Sequence, residues 1–128
     1  MVIDSSALLA IILDEPDASI YASAILNSVG PKLSTVSFVE ASMVSMSLRS
    51  PDPTALVDNL IDRFEIAIIS VDQEQALLAR EAFRRFGKGH HPAGLNFGDC
   101  FSYALAKHTC EPLLYKGYDF SQTDIPSA

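Results

Sequence analysis

Apolar residues recur along the chain with two spacings, one typical of α-helices and one typical of short strands. Helical spacing, bounded in most cases by a capping residue or a Gly/Pro break, predicts six helices over residues 5–13, 17–30, 35–48, 54–64, 72–86 and 96–108. Short apolar or β-branched runs predict strands over residues 1–4, 32–34, 65–71 and 112–115. Strands therefore alternate with helices along the whole chain.

Such alternation is typical of an α/β fold whose mostly parallel sheet has helices on both faces. We expect four or five short strands in a single domain spanning residues 1–128. In sheets of this kind, sites form beyond the carboxyl ends of the strands. Asp4 and the segment after Tyr115 both lie at such ends, so these two regions are expected to share a site.

The same periodicity predicts which residues face the core. The helix over residues 35–48 is expected to turn inward Val36, Val39, Met43 and Met46. The helix over residues 72–86 is expected to be amphipathic, with an apolar face made of Ala76, Leu77, Ala79, Phe83 and Phe86. The strand over residues 65–71 is β-branched enough to be a buried strand.

Composition supports one folded domain in a reducing compartment. The chain has 128 residues, of which 48% are hydrophobic and 20% charged. The apolar run over residues 7–13 is too short to span a bilayer, and no basic segment precedes it. Cys100 and Cys110 share the last predicted helix, where ten residues of rise separate them by about 15 Å, too far for a disulfide. We therefore expect reduced thiols in the cytoplasm, with Cys100 in the core.

The net charge of −7 argues against a general nucleic-acid binder, since phosphate affinity usually comes from lysine and arginine. Bound metal ions would change this picture. If four of the sixteen acids hold metal ions, twelve remain against nine lysines and arginines. Divalent cations would then invert the local field.

Three acids far apart in the chain lie where their side chains can reach one pocket. Asp4 ends the first strand, Glu40 lies inside an apolar helix, and Asp99 lies in the first turn of another helix. Carboxylate oxygens suit Mg²⁺ or Mn²⁺, which activate water and neutralise charge at a phosphate. Asp4 and Asp99 could instead be only helix-capping residues, whereas an unpaired Glu40 in such an apolar stretch would be costly.

Basic residues offer one candidate surface for RNA phosphates, made of Arg80, Arg84, Arg85 and Lys88. The alternative is an ordinary solvated helix face. His90 and His91 follow this stretch, but a hard-ion site prefers oxygen ligands. Lys116 follows the last strand, where it is either a contact to phosphate or to the acidic cluster, or a surface lysine.

Four blocks resemble, in the right order, the PIN domain of VapC-type toxins. They are MVIDSS at residues 1–6, TVSFVEA at 35–41, LNFGDC at 95–100 and LLYKGYDF at 113–120. The segment GKGHHPA at residues 87–93 also looks like a common segment of these toxins. Together the blocks span nearly the whole chain.

The resemblance implies a magnesium-dependent endoribonuclease, with manganese as a substitute. It also implies a toxin that is inhibited by a VapB-type antitoxin and that acts on RNA, often tRNA. Members are usually homodimers or parts of higher toxin–antitoxin assemblies.

The acids of the family map by their motifs onto Asp4, Glu40 and Asp99 as catalytic and metal-binding residues. The variable fourth position is matched best by Asp119, with Asp124 as a nearby competitor. Ser6 matches a small hydroxyl position that supports the acids or a phosphate, although it could be a plain helix cap. Other candidates for support or substrate contact are Asn96, Lys116, Arg84 and Lys88.

Three other functions account for part of this pattern. A phospho-receiver-like module has acids at strand ends and a lysine after its last strand, but it needs adjacent acids where Asp4 is followed by two serines. A catalytically inactive PIN-like binding domain would be expected to lack a core acid, and all three are present. A DNA flap nuclease would need a longer chain and a more basic surface.

Overall fold

The computed structural model describes all 128 residues and contains one sheet of four parallel strands in the order β3-β2-β1-β4. The strands are β1 Val2–Ile3, β2 Lys32–Ser34, β3 Ala67–Ile69 and β4 Leu113–Leu114. The helices are α1 Ser5–Ile12, α2 Ala18–Leu26, α3 Thr35–Met46, α4 Pro53–Arg63, α5 Gln73–Phe86 and α6 Phe97–Thr109. A short 3-10 helix follows at Phe120–Gln122. The predicted α/β architecture is confirmed, and most boundaries agree to within a residue or two.

Helices cover both faces of the sheet. Val2 and Leu113 point to one face, where they join a buried cluster with residues of α5 and α6. Ile3, Leu33 and Leu114 point to the other face, against α1, α2 and the end of α4. Because successive residues of a strand face opposite sides, even two-residue strands contribute to both clusters.

Polar caps start most of the helices where the sequence predicts them. The Asp72 side chain accepts the Gln75 backbone N–H at 2.8 Å to begin α5. Asn96 begins α6 in a reciprocal capping box, described below. Asp17, by contrast, makes no capping hydrogen bond at the start of α2, because its carboxylate binds Lys116 instead.

The prediction for the buried face of α3 is wrong. Val39, Met43 and Met46 are each more than half exposed, and Val36 is only partly buried. The fully buried positions are Ser37, Ala41 and Ser45, which recur every fourth residue along one face. Small side chains let α3 lie close to its neighbours, so the polar-looking face is the inner one.

The prediction for residues 65–71 is also wrong in part. β3 is shorter, and it is an edge strand that pairs only with β2. Ala67 and Ile68 are accordingly exposed. An edge strand lacks a neighbour on one side, so β-branched residues there do not imply burial.

On α5, Ala79 and Phe86 are buried as predicted, but Leu77 and Phe83 are close to half exposed and Ala76 is exposed. The inner face of α5 is completed by the neutral polar residue Gln75, which is 2% exposed, and by Ala82.

No helix of the structure combines the length and apolar character needed to cross a membrane. Both cysteines are free thiols. Cys100 is buried in the core as predicted, and Cys110 is exposed.

Candidate active site

The carboxyl end of the sheet gathers the acids that the sequence singled out. Asp4 directly follows β1, and Glu40 lies in the helix that follows β2. Asp119 lies in the segment after β4. Asp99 reaches the same region from the first turn of α6.

Asp4 is both a helix cap and a member of this group. Its side chain is 2% exposed. One oxygen, Oδ2, accepts the Ser6 backbone N–H at 3.0 Å and so caps α1. The other, Oδ1, accepts the Ser102 hydroxyl at 2.6 Å. The capping alternative and the site alternative are therefore compatible, because each oxygen keeps a free lone pair.

Glu40 is half-buried on α3 and is oriented by α1 and α6. The Ser5 hydroxyl donates to Oε1. Oε2 lies directly over Gly98, where a Cβ atom would overlap it. Glycine at position 98 is thus what allows the Glu40 carboxylate to approach the first turn of α6.

Asp99 is fixed by the capping box of α6. Its Oδ2 accepts the Asn96 backbone N–H at 3.0 Å, and the Asn96 side chain accepts the Asp99 backbone N–H at 2.9 Å. Burial, together with the negative charges of Asp4, Asp119 and Glu40, raises the pKa of Asp99 to about 7. The other three acids therefore lie close enough to act electrostatically on Asp99.

None of these four carboxylates has a cationic partner. Every ion pair of the structure is made by other acids: Glu15, Asp17, Glu74, Glu81, Glu111 and Asp124. Like charges held close together in a partly buried site are costly unless a cation offsets them. The site thus has the charge and the oxygen donors that a hard divalent ion requires.

The carboxylates do not form a complete metal cage by themselves, since no three acidic, histidine or cysteine side chains are arranged to hold an ion. Mg²⁺ usually binds through one or two carboxylates and fills its remaining positions with water and substrate phosphate. The donor set here fits that mode, with Asp4, Glu40, Asp99 and Asp119 as the available ligands.

The structure separates the two competitors for the fourth acid. The Asp124 carboxylate receives Lys107 Nζ at 2.7 Å and the Tyr103 hydroxyl at 2.8 Å, and Arg85 Nη1 lies at 3.5 Å. Asp119 is exposed, its side chain makes no capping hydrogen bond to the 3-10 helix that follows it, and it contributes to the raised pKa of Asp99. Only Asp119 is electrostatically part of the group, and its catalytic role stays a prediction.

The predicted supporting residues divide into two sets. Ser6 and Asn96 contact Asp4 and Asp99 through the backbone bonds described above, and Ser6 Oγ also accepts the Lys116 backbone N–H at 3.0 Å. The Lys116 ammonium group, however, binds Glu15 and, at 2.9 Å, Asp17. Its side chain therefore does not bind the site acids.

The basic residues at the end of α5 make no hydrogen bond or ion pair with the site acids. Arg84 binds Glu81 on its own helix, and Lys88 is exposed with no side-chain partner. His90 Nε2 lies 2.6 Å from the Phe83 carbonyl oxygen, where it satisfies the end of α5. RNA contact by Arg84 and Lys88 stays a prediction.

Sequence reasoning missed Ser5, Ser37, Gly98 and Ser102, all of which bind or pack against the acids directly or through one hydroxyl. A signal was present. Ser37 precedes Glu40 by three residues and Ser102 follows Asp99 by three, which places each serine on the same helix face as an acid.

An apolar hollow adjoins Glu40 between α3 and the start of α6. Its volume is about 540 Å³, and it is lined by Val36, Val39, Met43, Val44, Phe97 and Gly98 among others. The Phe97 ring is 74% exposed and also borders a second hollow of about 390 Å³ beside α5.

Comparison with known proteins agrees with this geometry. The model of the PIN domain family matches residues 1–126. The chain is 47% identical to ribonuclease VapC28 of Mycobacterium tuberculosis, an alignment that covers 100% of this chain and 97% of that protein. It is also 47% identical to ribonuclease VapC of Mycolicibacterium smegmatis, over 98% of this chain and 97% of the relative.

Among solved structures, Mycobacterium tuberculosis VapC20, a toxin that cleaves the sarcin-ricin loop, superposes with a TM-score of 0.80 at 13% identity, covering 99% of this chain and 97% of that one. A toxin–antitoxin complex from Klebsiella pneumoniae has a chain that superposes with a TM-score of 0.71 at 14% identity, covering 96% and 92%. The two structures share the fold. With the family match and the sequence relatives, they lead to one conclusion: the chain belongs to the PIN domain family and, within it, to the VapC ribonucleases.

Proposed function

We propose that this protein is an endoribonuclease toxin that hydrolyses RNA phosphodiester bonds with Mg²⁺ or Mn²⁺ held by Asp4, Glu40, Asp99 and Asp119. The observation that carries the proposal is the group formed by Asp99 and the three acids that raise its pKa, none of which has a cationic partner. Sequence relatives named as ribonucleases support the same chemistry.

The protein side of the mechanism follows from the hydrogen bonds. A bound divalent ion would supply an activated water and neutralise charge that develops on the phosphate. The chain holds the ligand oxygens in place: Ser102 and Ser6 fix Asp4, and Ser5 fixes Glu40. Asn96 fixes Asp99 through Oδ2 and leaves Oδ1 free of protein donors.

Charge neutralisation at the phosphate is expected to depend on the ion, since two of the predicted basic candidates are already paired with acids. Lys116 binds Glu15 and Asp17, and Arg84 binds Glu81. This arrangement also disfavours a phospho-receiver, in which the lysine after the last strand would have to reach the acid after the first.

An antitoxin of the VapB type is the proposed inhibitor. The apolar hollow beside Glu40 offers a surface for an apolar segment of such a partner. A segment seated there would bring a neighbouring basic side chain to the four acids, which lack one of their own. A complex in which these acids face only solvent would count against this proposal.

A homodimer is proposed on similar grounds, since several apolar side chains of α1 and α2 are exposed near their ends. They include Leu13, Ile20 and Leu26. Light scattering of the purified toxin at several concentrations would measure its mass directly. A constant monomer mass would contradict the dimer without affecting the ribonuclease proposal.

The decisive experiment is cleavage of total cellular RNA by folded protein free of antitoxin, with Mg²⁺, with Mn²⁺ and with EDTA. The Asp99→Asn variant tests the site, and Asp58→Asn is the matched control because Asp58 is an exposed acid on α4. Discrete products that require metal and Asp99 but not Asp58 would support the proposal. Absence of cleavage in every lane would favour an inactive PIN-like binding domain.

A further inference from the structure

Two buried serines form a chain of hydroxyl groups that ends on Asp4. Ser37 and Ser102 are both 0% exposed. Their Oγ atoms lie 3.0 Å apart, and Ser102 Oγ lies 2.6 Å from Asp4 Oδ1. The family comparison and the site acids do not explain why these hydroxyls are buried here.

The donor and acceptor of each of these hydrogen bonds follow from the number of protons available. A serine hydroxyl has one proton to donate. The Ser102 proton is used on the Asp4 carboxylate, which can only accept. The bond between the serines must therefore run from the Ser37 hydroxyl to Ser102 Oγ, so that Ser37 polarises Ser102 and Ser102 binds Asp4.

These hydrogen-bonded hydroxyl groups join the three elements that carry Asp4, Glu40 and Asp99. Ser37 lies on α3 one turn before Glu40, and Ser102 lies on α6 one turn after Asp99. Residues three apart share a helix face, so each hydroxyl points to the same side as an acid. Asp4, at the junction of β1 and α1, is the third element.

Ser45 gives the comparison with a buried serine that donates its hydroxyl proton within its own helix. Ser45 is also 0% exposed on the same face of α3, but its hydroxyl donates to the Ala41 carbonyl oxygen within the helix at 2.8 Å. That is the ordinary way for a buried helical serine to satisfy its hydroxyl. Ser37 and Ser102 instead direct their protons between elements, toward the acid.

We propose that Ser37 and Ser102 are positioning residues that hold the Asp4 carboxylate, and with it the spacing of α3 and α6, in the geometry that binds the divalent ion. The inference rests on the proposed function. Neither serine touches the ion or the RNA; both act through Asp4. Hydrogen bonds to metal ligands commonly change metal affinity about tenfold or more when they are removed.

The test is calorimetric titration of metal-free protein with Mn²⁺ alone. Ser102→Ala is expected to weaken Mn²⁺ binding about tenfold, and Ser37→Ala by a smaller factor of about three. Ser45→Ala is the matched control, because it also removes a fully buried hydroxyl, and its Mn²⁺ affinity is expected to equal that of the wild type. Thermal unfolding of the three variants checks that each is folded.

A double variant tests whether Ser37 acts through Ser102. Because Ser37 acts only through Ser102, the Ser37→Ala, Ser102→Ala protein is expected to bind Mn²⁺ as the Ser102→Ala protein does. Additive losses of Mn²⁺ affinity in the double variant would show that Ser37 does not act through Ser102. Equal Mn²⁺ affinity of Ser102→Ala and wild type would overturn the proposal as a whole.

A second variant at position 102 separates a folding defect from a loss of metal binding. If Ser102→Ala does not fold, Ser102→Cys preserves the volume with a weak donor, and weakened binding is expected there too. The readout is also separate from RNA cleavage. If Mn²⁺ binding depends on the serines but the wild type leaves RNA intact, the proposed function is contradicted and the positioning role of the serines is supported. If the wild type binds no Mn²⁺, the positioning role is overturned.

Discussion

The acids of the candidate active site and the acid at Asp124 occupy opposite kinds of environment in one small fold. Asp124 is bound by a lysine, an arginine and a tyrosine, and it fastens the last residues of the chain to α5 and α6. Asp4, Glu40 and Asp99 receive only hydroxyl and backbone N–H donors. Neutral donors orient a carboxylate without cancelling its charge. The contrast distinguishes acids that stabilise the fold from acids kept available for a cation.

Removal of one site acid is expected to have the largest effect. Asp4→Asn should reduce RNA cleavage at least about a hundredfold, because the ion loses a charged ligand while the amide oxygen still caps α1. Asp124→Asn is the control from the paired region and should leave cleavage within about twofold. Cleavage assays with circular dichroism of both proteins measure this, and full activity of purified Asp4→Asn would refute the site.

The paired region should respond in stability instead. Asp124→Ala is expected to lower the free energy of unfolding by about 2 kcal/mol, because the Tyr103 hydroxyl and the Lys107 ammonium lose their partner. Urea denaturation of this variant and of Asp58→Ala gives the comparison. An unchanged midpoint for Asp124→Ala would show that its ion pairs contribute nothing measurable.

The unpaired acids should make metal-free protein less stable as pH rises. With its pKa raised to about 7, folded Asp99 retains a proton that the unfolded chain, with a pKa of 3.8, has already lost. The free energy of unfolding therefore falls between about pH 4 and pH 7 and is level above. Since Asp99 is partly exposed, solvent screening reduces this loss to about 1–2 kcal/mol.

The Asp99→Asn variant isolates that contribution, because its amide does not titrate but can still accept the Asn96 N–H. Metal-free wild type should be the less stable of the two at pH 8, and their difference should shrink toward pH 4. Chemical denaturation in EDTA across this range provides the measurement. Parallel curves for the two proteins would contradict the raised pKa.

The smallest effect should come from the contact between Glu40 and Gly98. Gly98→Ala places a methyl group where the carboxylate lies, and the flexible Glu40 side chain is expected to move aside. Cleavage should fall about fivefold, while the helix gains up to about 1 kcal/mol from the better helix-forming residue. Reduced activity with an equal or higher melting temperature is the expected signature, and lower stability with normal activity would be the opposite result.

Much of this arrangement follows from local pattern. The order of strands and helices, the positions of Asp4 and Glu40, and the capping box at Asn96 all depend on short-range signals that a sequence displays directly. The inner face of α3 does not, because serine and alanine are selected there for close packing rather than for hydrophobicity. The partners of Ser37 and Ser102 likewise depend on the distance between two helices, which periodicity does not specify.

Phe97 has a practical consequence for the isolated toxin. Its ring borders two apolar hollows, and the net charge of −7 opposes self-association of copies through that surface. At 0.1 M ionic strength, salt screens the repulsion between charges that are more than about 10 Å apart. Purified protein without a partner is therefore expected to lose solubility with added salt while its secondary structure stays intact, and Phe97→Ser should restore that solubility.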